Sequence, residues 1–286
     1  MARTLSAGLI THVATATHTR AHMVRLDLVD GTSIGITDHD IDIAFNLGDG
    51  SITYSASTGV LASDIVLKAG FDADNCELQG PIGSTVTRAA ILGGRYNRAR
   101  VRIFEVNWNS LADGAIKLLQ GSIAQANVIS GKFSFQVRSD VDYLNQTIGR
   151  LITPYCKHDL GDANCQFALV AVVGTVTAVT DAMRFTVSFT GSYANDYFNL
   201  GTVEATSGTL AGTQPVEIFD WTSGGAKTLF TPLAEAPAIA DTFDMKRGCG
   251  KTRTICRDTF SNVVNFGGFP EVPGSDQVLK YPIPSA

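Results

Sequence analysis

The chain has 286 residues, with 22 Lys and Arg against 27 Asp and Glu, a net charge of -5. Only 17% of its residues are charged, 44% are hydrophobic, and 28 Gly and 9 Pro are close to ordinary usage. These values exclude a disordered tail, a collagen-like chain and a basic nucleic-acid coat, and the length predicts about two globular domains.

The first eight residues, Met1 to Gly8, hold one positive charge and no apolar segment follows, so no secretory signal is expected. Val24–Leu28 alternates apolar and polar residues. Asp30-Gly31 then supplies a hairpin turn, and Ile34 and Ile36 lie on the returning strand. Further strands are predicted at Val101–Val106, Ile123–Ile129 and Phe133–Val137, the last two joined through Ser130-Gly131. Short helices are predicted at Thr85–Leu92 and Asp140–Ile148, the second capped by Asp140 and ended by Gly149. No strand alternates with a long helix, which argues against a doubly wound parallel sheet. The longest apolar stretch, 168–179, is far short of the ~20 residues that span a bilayer, and its Gly174, Thr175 and Thr177 suit a buried strand.

Residues 168–245 are rich in Val, Thr, Ala and Gly, with eight acids against two bases, Arg184 and Lys227. This unit reads as a small acidic β-barrel or sandwich unsuited to polyanions. The fold class is therefore mainly β: an N-terminal β domain over 1–150, and a small cysteine-bearing module, 151–167 and 246–286, interrupted by the inserted β unit.

Four of the five cysteines fall in two pairs flanking the insert, Cys156 with Cys165 and Cys249 with Cys256; Cys76 stands alone. Two disulfides, a zinc site and an iron–sulfur cluster compete. The absent signal disfavours the first, and the gaps between paired cysteines exceed the usual zinc spacing. Cluster ligand spacing varies more. Residues 246–257 hold five bases, Lys246, Arg247, Lys251, Arg253 and Arg257, which read either as a shell stabilising thiolates or as a solvated basic turn.

Other motifs are weaker. Gly31-Thr-Ser-Ile-Gly35 matches a hydrolase pattern but sits in a hairpin with no following helix. Gly250-Lys251-Thr252 lacks the first glycine of a phosphate loop, which would fall at Met245. Asp38, Asp40 and Asp42 around His39 would share a metal-binding face if they lay on a strand. His12, His18 and His22 have no neighbouring carboxylate or cysteine in sequence, and Arg98, Arg100 and Arg102 alternate like the exposed face of a strand. Asn145-Gln-Thr147 is a glycosylation sequon in form only.

The C-terminal run of Asn262, Asn265, Phe266, Gly268, Phe269, Pro270, Pro273 and Gly274, following Cys249 and Cys256, resembles the ending of a phage-associated family of tail-tip proteins. That family includes the baseplate hubs of alphaproteobacterial gene transfer agents. The resemblance continues through Tyr155-Cys156 and Gly161-Asp-Ala-Asn-Cys165 into the strand-rich first 150 residues. It implies a structural, non-enzymatic hub in the tail baseplate of a virion-like particle. Such hubs form a homotrimeric ring below the distal tail protein and above a central fibre or spike protein, and DNA passes without specific binding. It also implies a 4Fe-4S cluster on Cys156, Cys165, Cys249 and Cys256, with Cys76 left as a buried thiol. Two rivals are an iron–sulfur redox protein and a glycan-binding adhesin with Trp221, Tyr193 and Tyr197 as stacking residues.

Overall fold

The computed structural model describes residues 5–56, 61–62, 74–145 and 148–272. The chain divides into two units, Met1–Thr147 with Thr209–Gln214, and Ile148–Gly208 with Pro215–Ala286.

The first unit opens with helix α1, Ala7–Val13, capped by Ser6, whose Oγ accepts the Leu9 N–H. Strands β1 (Arg20–Asp27), β2 (Ser33–Thr37), β3 (Ile43–Asn46), β4 (Ser51–Ser55), β5 (Leu61–Ala62) and β6 (Asn75–Pro81) precede helix α2 (Arg88–Leu92). Strands β7 (Arg100–Asn107), β8 (Ala115–Ile129) and β9 (Lys132–Ser139) follow it. They form one nine-stranded sheet in the order β3-β4-β2-β1-β7-β8-β9-β6-β5, antiparallel except for β2 beside β4.

Both hairpins expected from turn chemistry form. Leu28 N–H donates to Thr32 O across Asp30-Gly31, and Ser130 and Gly131 both take positive φ, 49° and 77°, as a primed turn requires. Strands β1 and β7 are central and buried on both faces. Val24, Leu26, Val101 and Ile103 enter one core, while Ala21, Met23, Phe104 and Val106 enter the other.

Several expectations are corrected. Helix α2 begins at Arg88, because Thr87 Oγ1 accepts the Ala90 N–H and fixes the start there. Asp140–Asn145 is a 3-10 turn, and Asp140 accepts from Gln120 and faces Arg100. The predicted end of that helix, Ile148 with Gly149 after it, is not helical, while the sequon's Gln146 and Thr147 lie outside the described residues, as do Pro273 and Gly274.

The Asp38–Asp42 segment is bends rather than strand, so its carboxylates part company. Asp38 pairs with His22 at 2.8 Å, Asp40 with His39 at 3.1 Å, and Asp42 accepts the Ala56 N–H. Arg98 precedes β7 in a left-handed conformation, φ 61°. Arg102 is paired with Asp27 at 2.6 Å and with Asp49, so the arginine run is partly committed within the fold. Burial opposes ionisation of Asp27, but hydrogen bonds from Ser33, Arg25 and Arg102 outweigh it and hold the carboxyl below the usual range. Ser33 Oγ donates to that same carboxylate at 2.7 Å and lies in the hairpin's return strand.

In the second unit six strands close a barrel: β10 (Val172–Val179), β11 (Arg184–Phe189), β12 (Thr202–Ala205), β13 (Val216–Trp221), β14 (Ala226–Leu229) and β15 (Thr242–Lys246). Their order is β10-β11-β14-β13-β12-β15. Gly225 has φ 83°, and any Cβ there would meet Val187 O at 2.0 Å, so glycine is needed where β14 begins. Trp221 is fully buried, packed edge-to-face against Phe198 and tilted against Phe189, and so is unavailable to a sugar.

Lys227 is also buried in the barrel, its Nζ 4.2 Å from the Phe185 ring centre and 3.7 Å from Met245 Sδ. Burial pushes its pKa down to about 7. The unfolded chain keeps that proton up to roughly pH 10, so barrel stability falls as pH drops from there to about 7, and the full penalty stays in force below 7. The ring face returns at most about 2 kcal/mol, less than the several kcal/mol of burying an ammonium. Lys227→Met is expected to stabilise the barrel by about 2 kcal/mol or more at pH 7 and to abolish this pH dependence, as read by amide hydrogen exchange of the barrel strands. An unchanged slope between pH 7 and 10 contradicts this account.

Candidate four-thiol site

The chain enters and leaves the barrel side by side, because Val172 at the start of β10 pairs with Met245 near the end of β15. The segments carrying the two cysteine pairs therefore leave the same end of one strand pair. Cys156 N–H donates to Lys251 O at 2.8 Å, joining them directly.

Each segment places its sulfurs by local chemistry. Asp162 organises the first turn, accepting the N–H groups of Asp159, Asn164 and Cys165. The Cys165 N–H is the largest influence holding the Asp162 carboxyl below its ordinary range. In the second segment Lys251 takes φ 58°. Thr252 then caps helix α3, Arg253–Asp258, its Oγ1 accepting the Ile255 N–H, and Cys256 lies on the buried side of that helix.

All four cysteines line one pocket, with His158, Leu160, Lys251, Thr252, Phe260, Asn262 and Asn265 completing its wall. None of the five cysteines is in a disulfide. Three sulfurs receive N–H groups: Cys249 Sγ from Lys251 N at 3.4 Å, Cys156 Sγ from Gly267 N at 3.3 Å, and Cys165 Sγ from Asn262 Nδ2 at 3.5 Å. Such donors suit a metal-bound sulfur. Cys256 Sγ donates to Asn262 O at 3.2 Å, as only a protonated thiol can. Burial first, then the neighbouring thiolates, push its pKa up.

Among the described residues no group of three or more His, Cys, Asp or Glu is placed to hold a metal ion. Zinc needs four sulfurs at about 2.3 Å from one point. The four thiols share the space of one pocket.

The basic run 246–257 is not a shell around the sulfurs. Lys246 pairs with Glu204, Arg253 with Glu271 and Arg257 with Asp258. Arg247 lies between the Tyr197 ring, at 4.5 Å, and the Phe260 ring, at 4.8 Å, tying barrel to cysteine module. Lys251 alone lines the pocket, with Nζ bound to His158 O and to Asp159. Asn262, Gly267 and His158 were not singled out as site residues from sequence. The first two lie in the C-terminal stretch that carries the resemblance, but no spacing rule reveals which N–H faces a sulfur. Cys76, buried on β6, lies in the other unit.

The profile described as "Baseplate hub protein, N-terminal attachment domain" matches residues 6–168, through the first cysteine pair. One described as "Phage conserved hypothetical protein BR0599" matches 196–276, across the second pair. Among solved structures, a chain in the "Virion of native gene transfer agent (GTA) particle" is 27% identical with a TM-score of 0.84, over 98% of this chain and 97% of that one. No curated protein gives a significant match. The matches define a phage-type tail protein of mainly β architecture. The attachment-domain match covers more than half of the sequence, and the chain belongs to the baseplate hub protein family.

A Cβ on Gly267 would sit 2.3 Å from the His158 ring, whereas one on Gly224 meets nothing within 4 Å. Gly267→Ala is expected to destabilise the cysteine module by about 1–3 kcal/mol, while Gly224→Ala stays within about 1 kcal/mol of the parent. Denaturant unfolding of the two variants checks this, and equal midpoints would contradict the packing assigned to Gly267.

Proposed function

We propose that this baseplate hub protein works at the tail tip of a gene-transfer-agent-like particle. There it forms a homotrimeric ring between a distal tail protein and a central fibre or spike protein, with a 4Fe-4S cluster bracing its C-terminal module. The observation that supports the hub placement is the near full-length likeness to the virion chain described above. The observation that supports the cluster is the pocket lined by four thiols, three of them receiving N–H groups.

Cys156, Cys165, Cys249 and Cys256 would hold the group. When bound, it supplies iron–thiolate bonds that cross-link the segments before and after the barrel. Gly267 and Lys251 orient two of the sulfurs through backbone N–H groups, and Leu160 and Phe260 supply apolar wall to the pocket. The role is structural: the sulfurs fasten a turn-rich module that a hub must keep rigid while neighbours load it.

Charge suits a conduit. The barrel has eight acids and two bases, of which Lys227 is buried and Arg184 is bound to Asp181 at 2.8 Å. Such a surface repels phosphate, so DNA passes without contacts that must later be broken.

Cys156→Ser and Cys249→Ser are each expected to lower the yield of DNA-delivering particles by more than tenfold in a particle-producing strain lacking the wild-type gene. Normal particle yield from both variants would remove the bracing role of the cluster.

A further inference from the structure

We propose that Asn262 is the positioning residue of the four-thiol site, joining one cysteine from each side of the barrel insertion and setting the electrostatic environment of the Cys165 sulfur. This inference rests on the cluster reading above.

Asn262 meets Cys165 and Cys256 at once. Its Nδ2 donates to Cys165 O at 2.6 Å and lies 3.5 Å from Cys165 Sγ. Its backbone N–H donates to Cys256 O at 2.9 Å, a contact that does not depend on the protonation of the Cys256 sulfur. The amide cannot turn over without loss, because Oδ1 accepts Asn265 Nδ2 at 2.8 Å, which keeps Nδ2 toward Cys165. The preceding residue, Ser261, takes φ 49°, a left-handed turn that brings Asn262 back toward the helix carrying Cys256. Cys165 and Asn262 are 97 positions apart, so this contact closes the module around the insertion.

Lys251 and Gly267 address their sulfurs through backbone N–H groups, which a side-chain substitution leaves in place. Asn262 is the side chain among the three donors. A neutral N–H beside a cluster-bound sulfur stabilises the more negative, reduced state and raises the reduction potential. Its removal must lower that potential.

The test uses the full chain reconstituted without oxygen from ferrous iron and sulfide, with Asn262→Leu and Asn262→Asp beside wild type, each read by film voltammetry. Asn262→Leu is expected to cut the reduced-to-oxidised ratio at the wild-type midpoint by about tenfold, a shift of about 59 mV for a one-electron couple. Asn262→Asp, which adds a negative charge, shifts further the same way. Loaded variants with the wild-type midpoint overturn the positioning role while leaving the cluster reading intact. A wild-type chain that takes up no iron overturns the cluster reading, and this inference with it. If the variants alone fail to load, cluster-free chains that melt like wild type support the positioning role. Cluster-free variants that melt well below wild type make Asn262 a general fold residue and overturn it.

Discussion

The pairing of β10 with β15 is the constraint on which the second unit depends. The closed barrel has no free edge, and in it the first and last strands of the chain are antiparallel neighbours, with Val172 opposite Met245. The chain therefore leaves the barrel where it entered. An insertion of some eighty residues then costs the flanking module little in geometry, for the reason that domains with adjacent termini are tolerated as inserts. Gly201 and Gly248 permit the close approach at this junction: a Cβ on Gly201 would meet Lys246 O at 2.1 Å, and one on Gly248 would meet Leu200 C at 2.1 Å.

The module beyond the junction is poor in buried apolar surface. Outside the barrel its buried residues, among those described, are Cys165, Cys256 and Phe260, while Ile148, Leu151 and Val264 are 98%, 83% and 93% exposed. Among the described residues its one α-helix is the six-residue α3, and its first cysteine segment is built of turns. A segment pair of this kind gains too little from burial to offset the entropy of ordering it. Backbone bonds from Cys156 to Lys251, the Arg247 clamp between Tyr197 and Phe260, and Asn262 set the geometry. The proposed cluster would supply the remaining cohesion. The barrel, with its packed aromatic core, needs no such help.

Much of this was legible in the sequence because strands have a two-residue period and primed turns need particular residues. Asp30-Gly31 and Ser130-Gly131 identified two hairpins, and the two cysteine pairs that flank residues 168–245 in sequence line one pocket. Elements fixed by tertiary partners were not legible. Asp140 looked like a helix cap, yet its carboxylate is engaged by Gln120 and Arg100 across the sheet. The alternating arginines before and within β7 looked like an exposed face, yet Arg102 is committed to Asp27 and Asp49. The five bases of 246–257 read either as a thiolate shell or as a solvated basic turn, but most found acids or aromatic rings, which composition cannot reveal. The N–H···S contacts of Gly267 and Asn262 depend on a backbone path that no spacing rule encodes.

The most direct measurement of the central claim is iron and acid-labile sulfide per chain, on protein purified without oxygen. The account predicts about four of each, falling together in Cys156→Ser and Cys249→Ser. Zinc in their place, or a metal-free chain with two disulfides among Cys156, Cys165, Cys249 and Cys256, would contradict it.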